Sequence, residues 1–277
     1  MSHLEERSTE ALIQASLEGD EDDERAWDAI WALRRRGTRD VLDAAIQLLG
    51  DSSAKARGRG AAILGQLGKE APTFPKECGD ALMGQLRREQ EPAVLSAIGV
   101  ALSQRQEPRA LPQLVTLASH PSEEARYGAA HGLSVLAAPE AVDALIRLSA
   151  DADRDVRDWA TFCLGTMMEE IDTPELRDAL AARLDDEDSE IAGEALVGLA
   201  YRKDPRAVEP VRAALRGDAV MVYALEAAAE LGDPSFHPLL LAIRDAHAPS
   251  DSYFDRVLKD VLSQFEQRNS AEADEPT

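Results

Sequence analysis

The chain contains few residues of the kinds that usually perform catalysis or bind metals. Its two cysteines lie far apart, and its histidines share no metal-ligand spacing; they are His3, His120, His131, His237 and His247. The sequence has no GxSxG, P-loop, HExxH or CxxC motif. We therefore predict a protein that is not an enzyme and that carries no cofactor and no metal.

Aromatic and acidic residues that recur at helical spacing indicate a different chemistry. Only twelve residues are aromatic, and six of them lie on or beside one stripe of the predicted helices, with glutamates between them. Rings and carboxylates together attract lysine and arginine side chains, through cation–π contacts and charge pairing. The predicted partner-binding residues are Tyr127, His131, Trp159, Phe162, Glu194, Tyr201, Tyr223, Glu226 and Glu230. The alternative is that these rings only fill gaps between successive second helices.

The charge of the chain points to the same class of partner. There are 52 acidic and 30 basic residues, which give a net charge of −22, and residues 141–277 carry −16 of it. Such a chain repels phosphate backbones, so we expect no nucleic acid and instead a protein or peptide with basic residues. The competing interpretation is that the acidity is only a solvated surface that keeps the chain in solution.

The sequence gives no sign of export or membrane insertion. The segment MSHLEERSTE has no apolar core, and no apolar run approaches the roughly 18 residues that a membrane span needs. Two distant cysteines make no disulfide framework. We expect no membrane association, a cytoplasmic location and a monomer.

An internal repeat supplies the elements that would position the stripe. Prolines open a recurring apolar pattern that suits a first helix, and a second pattern follows with apolar or small residues at positions 1, 5, 9 and 12. This spacing places four residues on one helical face, which only a neighbouring pair can bury. The prolines are Pro108, Pro139, Pro174, Pro205 and Pro234. The position-5 residues are Ala29, Gly60, Ala97, Ala129, Ala160, Ala195, Ala224 and Leu258.

The predicted fold is all-α: an α–α superhelix, or solenoid, of about eight helix pairs. We treat residues 1–268 as a single solenoid, with 1–36 as an N-terminal capping pair, 251–268 as a C-terminal capping helix and 269–277 as a disordered acidic tail. The predicted helices span 4–17, 22–36, 39–49, 54–67, 75–88, 91–104, 108–119, 122–136, 139–150, 153–168, 173–184, 188–201, 205–216, 219–231, 234–246 and 251–268.

The repeating unit resembles HEAT repeats, in particular the short form of about 30 residues found in phycobilisome-lyase-type bacterial proteins. The phrases DPRAVEPVRAAL, DADRDVRDWA and AAILGQLG carry the resemblance, which covers about residues 25–265. It implies a solenoid whose second helices line a concave groove, and a scaffold or adaptor that binds a partner there. The alternative that it leaves open is a lyase-like enzyme subunit or cofactor chaperone.

Three arginines at position 2 of the second pattern have a predicted structural role. Arg57, Arg126 and Arg157 follow a turn, and Asp51 and Asp151 lie six residues before two of them. In HEAT-type stacks such side chains link adjacent repeats near the turn, and an aspartate there can also cap the following helix. We predict that these arginines hold neighbouring repeats together.

Overall fold

The structure is a computed structural model that describes residues 6–20, 23–246 and 252–273, with side chains up to residue 268. Within these ranges it contains sixteen α-helices and no strand, which confirms the predicted all-α class. The helices are α1 (Thr9–Leu17), α2 (Glu24–Arg36), α3 (Arg39–Leu49), α4 (Ala54–Gly65), α5 (Pro75–Leu86), α6 (Pro92–Arg105), α7 (Leu111–Leu117), α8 (Glu123–Leu133), α9 (Pro139–Leu148), α10 (Arg154–Phe162), α11 (Pro174–Ala181), α12 (Ser189–Tyr201), α13 (Val208–Arg216), α14 (Val222–Leu231), α15 (His237–Ala246) and α16 (Tyr253–Ala273).

The helices stack within two compact units, residues 1–144 and residues 145–277. In the first unit the second helices of the pairs, α2, α4, α6 and α8, pack each against the next. In the second unit α10, α12, α14 and α16 do the same. The stacking of helix pairs is therefore present in each unit. The prediction of a single solenoid over residues 1–268 depends on how the two units join, and it stays a prediction.

Short polar side chains and glycines define the helix ends. The carboxylates of Asp23, Asp153 and Asp188 accept hydrogen bonds from backbone N–H groups in the first turns of α2, α10 and α12. These groups have no partner within the helix, so an aspartate cap stabilises each start by about 1 kcal/mol. Gly37 and Gly232 end α2 and α14 in the left-handed conformation, which glycine adopts without steric cost.

The predicted position-5 residues form the inner face of the second helices. Seven of the eight are buried, but Ala97 is half-buried. In α6 the buried face is instead formed by Val94, Ile98 and Leu102, one residue further along the chain. The predicted register was wrong there because Ala93 and Val94 are both apolar and both registers fit the pattern. The observed register buries the larger side chains, which removes more apolar surface from water.

Two of the three arginines at position 2, Arg57 and Arg157, link adjacent repeats, as predicted; the bonds of Arg126 to the carbonyl oxygens of His120 and Pro121 lie within its own turn. The Arg57 guanidinium donates to the carbonyl oxygens of Asp51 and Ser52, at 3.1 and 2.9 Å. It also forms a two-pronged ion pair with Glu89 of the next repeat, with N–O distances of 2.7 and 2.9 Å. Arg157 joins the Asp151 carbonyl oxygen to the Asp186 carboxylate in the same way, with N–O distances of 2.9 Å for both contacts.

Several predicted boundaries need correction. The first helix begins at Thr9 rather than residue 4, because Ser8 caps it by accepting a hydrogen bond from the Ala11 N–H. The predicted helix 153–168 contains a π-helical turn, Cys163–Met167. The last helix continues to Ala273, so residues 269–273 of the predicted tail are helical. Alanine and glutamate there favour a helix, and residues 269–275 contain no proline that would end it. Residues 1–5, 21–22, 247–251 and 274–277 lie outside the described residues.

The Arg57–Glu89 pair gives a stability prediction. Burial alone would raise the pKa of Glu89, but hydrogen bonds from Arg57, Gln85 and two backbone N–H groups outweigh it and lower the pKa to about 2. The Glu89 side chain is only 3% exposed. Arg57→Met leaves this charge buried without its cation, so chemical denaturation at neutral pH should show a loss of about 3 kcal/mol.

The pH dependence of this loss follows from the direction of the shift. The pair stabilises the fold above the ordinary glutamate pKa, and this stabilisation disappears as the pH falls towards about 2. The deficit of Arg57→Met should therefore shrink on acidification. Arg39→Met is the control, because Arg39 and its partner Glu77 are 53% and 48% exposed, so solvent screens the pair and its loss should be much smaller. Equal losses in the two variants would contradict this account.

Candidate functional site

The nine predicted partner-binding residues lie on four second helices, divided between the two units. Tyr127 and His131 are on α8 in the first unit, and the other seven are on α10, α12 and α14 in the second. All nine are half-buried. They are therefore neither sealed in a core nor fully surrounded by water, and each unit is considered by itself.

In the first unit the predicted aromatic pair is packed together. The Tyr127 and His131 rings meet edge to face with centroids 4.6 Å apart, and burial lowers the pKa of His131 to about 4. His131 is therefore neutral at physiological pH. Trp31, on α2 near the start of this unit, has the Lys69 ammonium 4.0 Å and the Arg34 guanidinium 4.8 Å from its ring centroid. Cations of the chain itself already contact that ring.

In the second unit the predicted rings and carboxylates lie on three consecutive second helices. Trp159 and Phe162 on α10 form a tilted pair with ring centroids 5.5 Å apart. Glu194 and Tyr201 follow on α12, and Tyr223 and Glu226 on α14. Asp158, beside Trp159, is also half-buried. We call this set the acidic stripe: Asp158, Trp159, Phe162, Glu194, Tyr201, Tyr223 and Glu226.

Glu194 is held at the centre of the acidic stripe by a neutral donor. The Thr166 hydroxyl donates to Glu194 Oε2 at 3.2 Å, and the Tyr223 side chain lies near enough for Glu194 to raise its pKa. Burial raises the pKa of Glu194, and the nearby charges of Asp158 and Glu226 raise it further. The carboxylate is thus fixed in position while its negative charge remains uncompensated.

Glu226 occupies a similar environment one helix further along. Its partner is the Tyr253 hydroxyl at the start of α16, 3.4 Å from Glu226 Oε1. Burial raises the pKa of Glu226. Among the described residues, neither Glu194 nor Glu226 has an arginine or lysine within ion-pair distance.

The tyrosines of the acidic stripe respond to the same negative charge. Burial raises the pKa of Tyr223 to about 12, with contributions from Glu194 and Glu190. Burial also raises the pKa of Tyr201, and Glu230 and Glu226 add to the shift. Both hydroxyls therefore keep their protons at physiological pH and remain hydrogen-bond donors.

One carboxylate of the acidic stripe, Asp158, and one beside it, Glu230, already have cationic partners. Glu230, predicted as a contact residue, lies 3.4 Å from Lys203 Nζ through its Oε2, and the same ammonium donates to the Glu230 carbonyl oxygen. Asp158 lies 3.4 Å from Arg154, which also binds Asp188 and Glu190. Burial still raises the pKa of Asp158, because this one guanidinium is shared among several carboxylates.

The structure adds contact residues that the sequence pattern did not single out. Thr166 and Tyr253 position the two central glutamates, and Gly193 makes room for the Tyr223 ring. Tyr253 lies just before position 1 of the last second helix, so the repeat register could have placed it near the previous stripe residues. The pairing of Thr166 with Glu194 depends on how closely α10 and α12 approach, which the repeat pattern does not specify.

The described residues contain no group of histidine, cysteine, aspartate and glutamate that could hold a metal ion. None of the described helices combines the length and the apolar character needed to cross a bilayer. What the geometry of the acidic stripe does provide is a set of fixed carboxylates beside aromatic faces, which suits the binding of cationic side chains.

A family model for HEAT repeats matches residues 79–165 and 147–232. These matches cover more than half of the chain, so the chain belongs to the HEAT-repeat family. The predicted resemblance is confirmed. Among curated proteins the chain is similar to Protein YibA of Escherichia coli (strain K12), with 29% identity over 218 residues, or 75% of each protein.

Solved structures show the same architecture. The crystal structure of YibA matches with a TM-score of 0.74 and 25% identity, over 95% of this chain and 94% of that one. A structure of Kap95p, whose binding induces the switch loops of RanGDP to adopt the GTP-bound conformation, matches with a TM-score of 0.60 and 17% identity. The match covers 96% of this chain and 42% of that chain, and it shows the fold alone.

The contact between Gly193 and Tyr223 gives a second prediction. A Cβ atom on Gly193 would overlap the Tyr223 ring, so Gly193→Ala should displace the ring and lower the free energy of unfolding by about 1–3 kcal/mol. Gly58→Ala in α4 is the matched control, because a Cβ there meets nothing within 4 Å. Since alanine favours a helix, that variant should gain about 0.5–1 kcal/mol in chemical denaturation. A neutral or stabilising Gly193→Ala would show that the ring does not rest on this glycine.

Proposed function

We propose that this chain is a non-catalytic scaffold that binds a basic segment of a partner protein on its acidic stripe. The HEAT-repeat fold is typical of protein-interaction scaffolds, because stacked repeats present long surfaces. Kap95p, which shares the fold, binds another protein, so a protein partner is consistent with this architecture. Within that class, the chemistry of the acidic stripe indicates the kind of partner.

One observation carries the proposal. Asp158, Glu194 and Glu226 lie half-buried on successive second helices, and the last two have no cationic partner within the described chain. Other half-buried or buried carboxylates of this unit are paired, as Asp186 is with Arg157 and Asp204 is with Arg177 and Arg206. Perturbed carboxylates gathered in one place are typical of functional sites.

A cationic partner would relieve the cost of keeping these carboxylates charged. Burial and mutual repulsion disfavour their ionised forms, and both effects are offset when an ammonium or guanidinium group approaches. A hydrogen bond to a charged group is worth about 1.5–3 kcal/mol. A cation over an aromatic face adds about 0.5–2 kcal/mol, depending on how far it is desolvated.

Preorganisation strengthens this expectation. Glu194 is already oriented by a hydrogen bond from Thr166, and Glu226 by one from Tyr253. A ligand that binds fixed side chains avoids the entropy cost of ordering them. The rings of Trp159 and Phe162 contact each other, so they too are held in place before a partner binds.

Neutralising the two central glutamates tests the proposal. With a fluorescent lysine-rich peptide as the probe, Glu194→Gln combined with Glu226→Gln should weaken binding by about tenfold to a hundredfold at low salt. Fluorescence anisotropy measures the affinity. The matched control combines Glu140→Gln and Glu175→Gln, two exposed glutamates on first helices, and it should bind as the unchanged chain does.

Two outcomes of the same assay would contradict the proposal. If the peptide binds the Glu194–Glu226 double variant as tightly as the unchanged chain, the acidic stripe is not the binding surface. If the unchanged chain binds no basic peptide, the proposal fails altogether. The glutamines keep the size of the side chains and remove repelling charges, so the double variant should unfold at the same temperature or higher.

The raised pKa values of the glutamates predict how binding depends on pH. Glu194 and Glu226 take up protons at a higher pH than ordinary glutamates, and a protonated carboxyl no longer attracts a cation. Peptide affinity should therefore be constant near neutral pH and should fall on acidification before exposed glutamates titrate. The double glutamine variant should show no such fall, and an identical fall in that variant would contradict the assignment.

A further inference from the structure

A cleft in the first unit lies where the links between neighbouring repeats are interrupted. It has a volume of about 610 Å³ and is lined by the end of α5, by α7 and by the turns that follow these two helices. We propose that this cleft binds the C-terminal residue of a partner protein that ends in a large apolar residue. The inference is independent of the proposed function, because the acidic stripe belongs to the other unit.

Two other repeats have an ion pair at the corresponding place. Arg57 of α4 binds Glu89, and Arg157 of α10 binds Asp186, with shortest N–O distances of 2.7 and 2.9 Å. Each arginine is at position 2 of its second helix, and each carboxylate lies six residues before position 2 of the next second helix. Both pairs line clefts of their own, so those clefts carry a built-in ion pair.

The cleft beside α7 has different residues at these two positions. In the observed register of α6, position 2 is Leu95, and the residue six places before position 2 of α8 is His120. Both side chains line the cleft. Leucine cannot form an ion pair, so the link between these repeats is interrupted and the polar groups around it are left for other partners.

His120 reverses the hydrogen-bonding character of its position. Its Nδ1 accepts a hydrogen bond from the Ser122 backbone N–H at 3.1 Å, as the Glu89 and Asp186 carboxylates accept from the turns that follow them. Since a backbone N–H can only donate, the proton of the neutral imidazole lies on Nε2. Where the carboxylates accept from an arginine, His120 therefore offers a donor, which has no partner among the described residues.

Two further polar groups that line the cleft are also unused. Arg87 follows α5 with an exposed side chain, and its guanidinium forms no ion pair or hydrogen bond within the described ranges. The Oε1 atom of Gln113 is buried without a donor from any described residue, which is an unfavourable state for an acceptor. The cleft thus combines a cation and a donor, which fit an anion, with an acceptor, which fits an N–H group.

The floor of the cleft is apolar. Leu86, Leu95 and Leu117 line it, and each is at most 8% exposed. An apolar side chain of a ligand that packs on these leucines leaves water, which favours binding. Glu89 also lines the cleft, but its charge is compensated by Arg57, so it opposes an anion only weakly.

A C-terminal residue supplies all the groups that the cleft can bind. Its carboxylate can accept charge-assisted hydrogen bonds from Arg87 and His120 Nε2, and its side chain can cover the leucine floor. Its backbone N–H can donate to Gln113 Oε1 when that amide turns towards the ligand. A small apolar acid lacks the N–H group, and the main chain of an internal segment lacks the carboxylate. Capture of a terminal carboxylate is an established mode of peptide recognition.

Peptides that differ only at their last residue test the inference with the unchanged chain. The probe is a fluorescently labelled six-residue peptide with uncharged side chains, which ends in leucine and has a free carboxylate. The comparison peptides are its C-terminal amide and a version that ends in serine. By fluorescence anisotropy, we expect the probe to bind at least about tenfold more tightly than either. Unlabelled probe should also displace it at least about tenfold more effectively than 4-methylpentanoate, which is leucine without its amino group.

Two variants locate the binding in the cleft. Arg87→Gln should weaken binding of the probe about fivefold to tenfold and leave binding of the amide unchanged. His120→Asp should remove detectable binding, because it places a negative charge beside the terminal carboxylate. That variant should fold, since Asp51 and Asp151 occupy this position in other repeats and accept the same backbone hydrogen bond. Arg88→Gln is the control, because this exposed arginine lines the neighbouring cleft instead, and it should bind as the unchanged chain does.

Each contrary outcome overturns a stated part of the inference. Equal affinity for the acid and the amide, or for the leucine and serine ends, would show that the cleft does not select an apolar C-terminus. Displacement by 4-methylpentanoate as effective as by unlabelled probe would assign the cleft to a small apolar acid. Full binding by both Arg87→Gln and His120→Asp would place the peptide elsewhere. No binding of the probe would remove this inference and leave the acidic stripe unaffected, because the lysine-rich peptide tests that surface separately.

Discussion

A helix face made of alanine, glycine and leucine becomes stable only when another helix covers it closely. In this chain that constraint governs the second helices of both units. A Cβ atom on Gly128 of α8 would lie 2.4 Å from the Cα atom of Ser96 in α6, and Gly165 and Gly198 meet in the same way in the second unit. Close approach maximises the dispersion contacts of small side chains, and it also fixes how far apart the remaining surface residues can be. The crowding of Asp158, Glu194 and Glu226 is a consequence of this packing.

Several arginines of the second unit stabilise this packing and do not approach Glu194 or Glu226 of the acidic stripe. Arg202 donates hydrogen bonds to five backbone carbonyl oxygens, among them those of Leu164, Gly165 and Met168 around the π turn. Arg157 and Arg177 bind aspartates near the turns. This unit, which has more acidic than basic residues, uses many of its arginines for internal contacts, and the half-buried Glu194 and Glu226 have no cation within ion-pair distance among the described residues. This division gives a physical reason why one face is ready to receive an external cation.

The sequence predicted the helices well because their signals are local. Prolines at regular intervals and the residue at position 5 of the second helices, small in all but the last, were enough to predict sixteen helices. Their boundaries lie mostly within a few residues of those observed. The register of α6 was wrong because Ala93 and Val94 fit the pattern equally well. The π turn could not be predicted, because the carbonyl groups that it frees are bound by Arg202, more than thirty residues away in the chain.

The candidate site was less predictable than the helices, because several of its contacts join residues that are far apart in the sequence. Helical spacing correctly placed Trp159, Glu194 and Tyr223 on the half-buried face of three second helices. It did not reveal that Lys203 pairs with Glu230, or that the Tyr253 hydroxyl contacts Glu226, because each contact joins residues 27 positions apart in the sequence. Such contacts depend on the depth and angle at which neighbouring repeats pack.

The central claim is that packing holds Glu194 and Glu226 in a half-buried, uncompensated state until a cation arrives. Carboxyl-carbon NMR titration of the unchanged chain, alone and with the basic peptide, tests it most directly. The account predicts that both glutamates titrate above their usual range in the free chain, and that the bound peptide shifts both pKa values downward. Ordinary or lowered values in the free chain, or no change on binding, would contradict it.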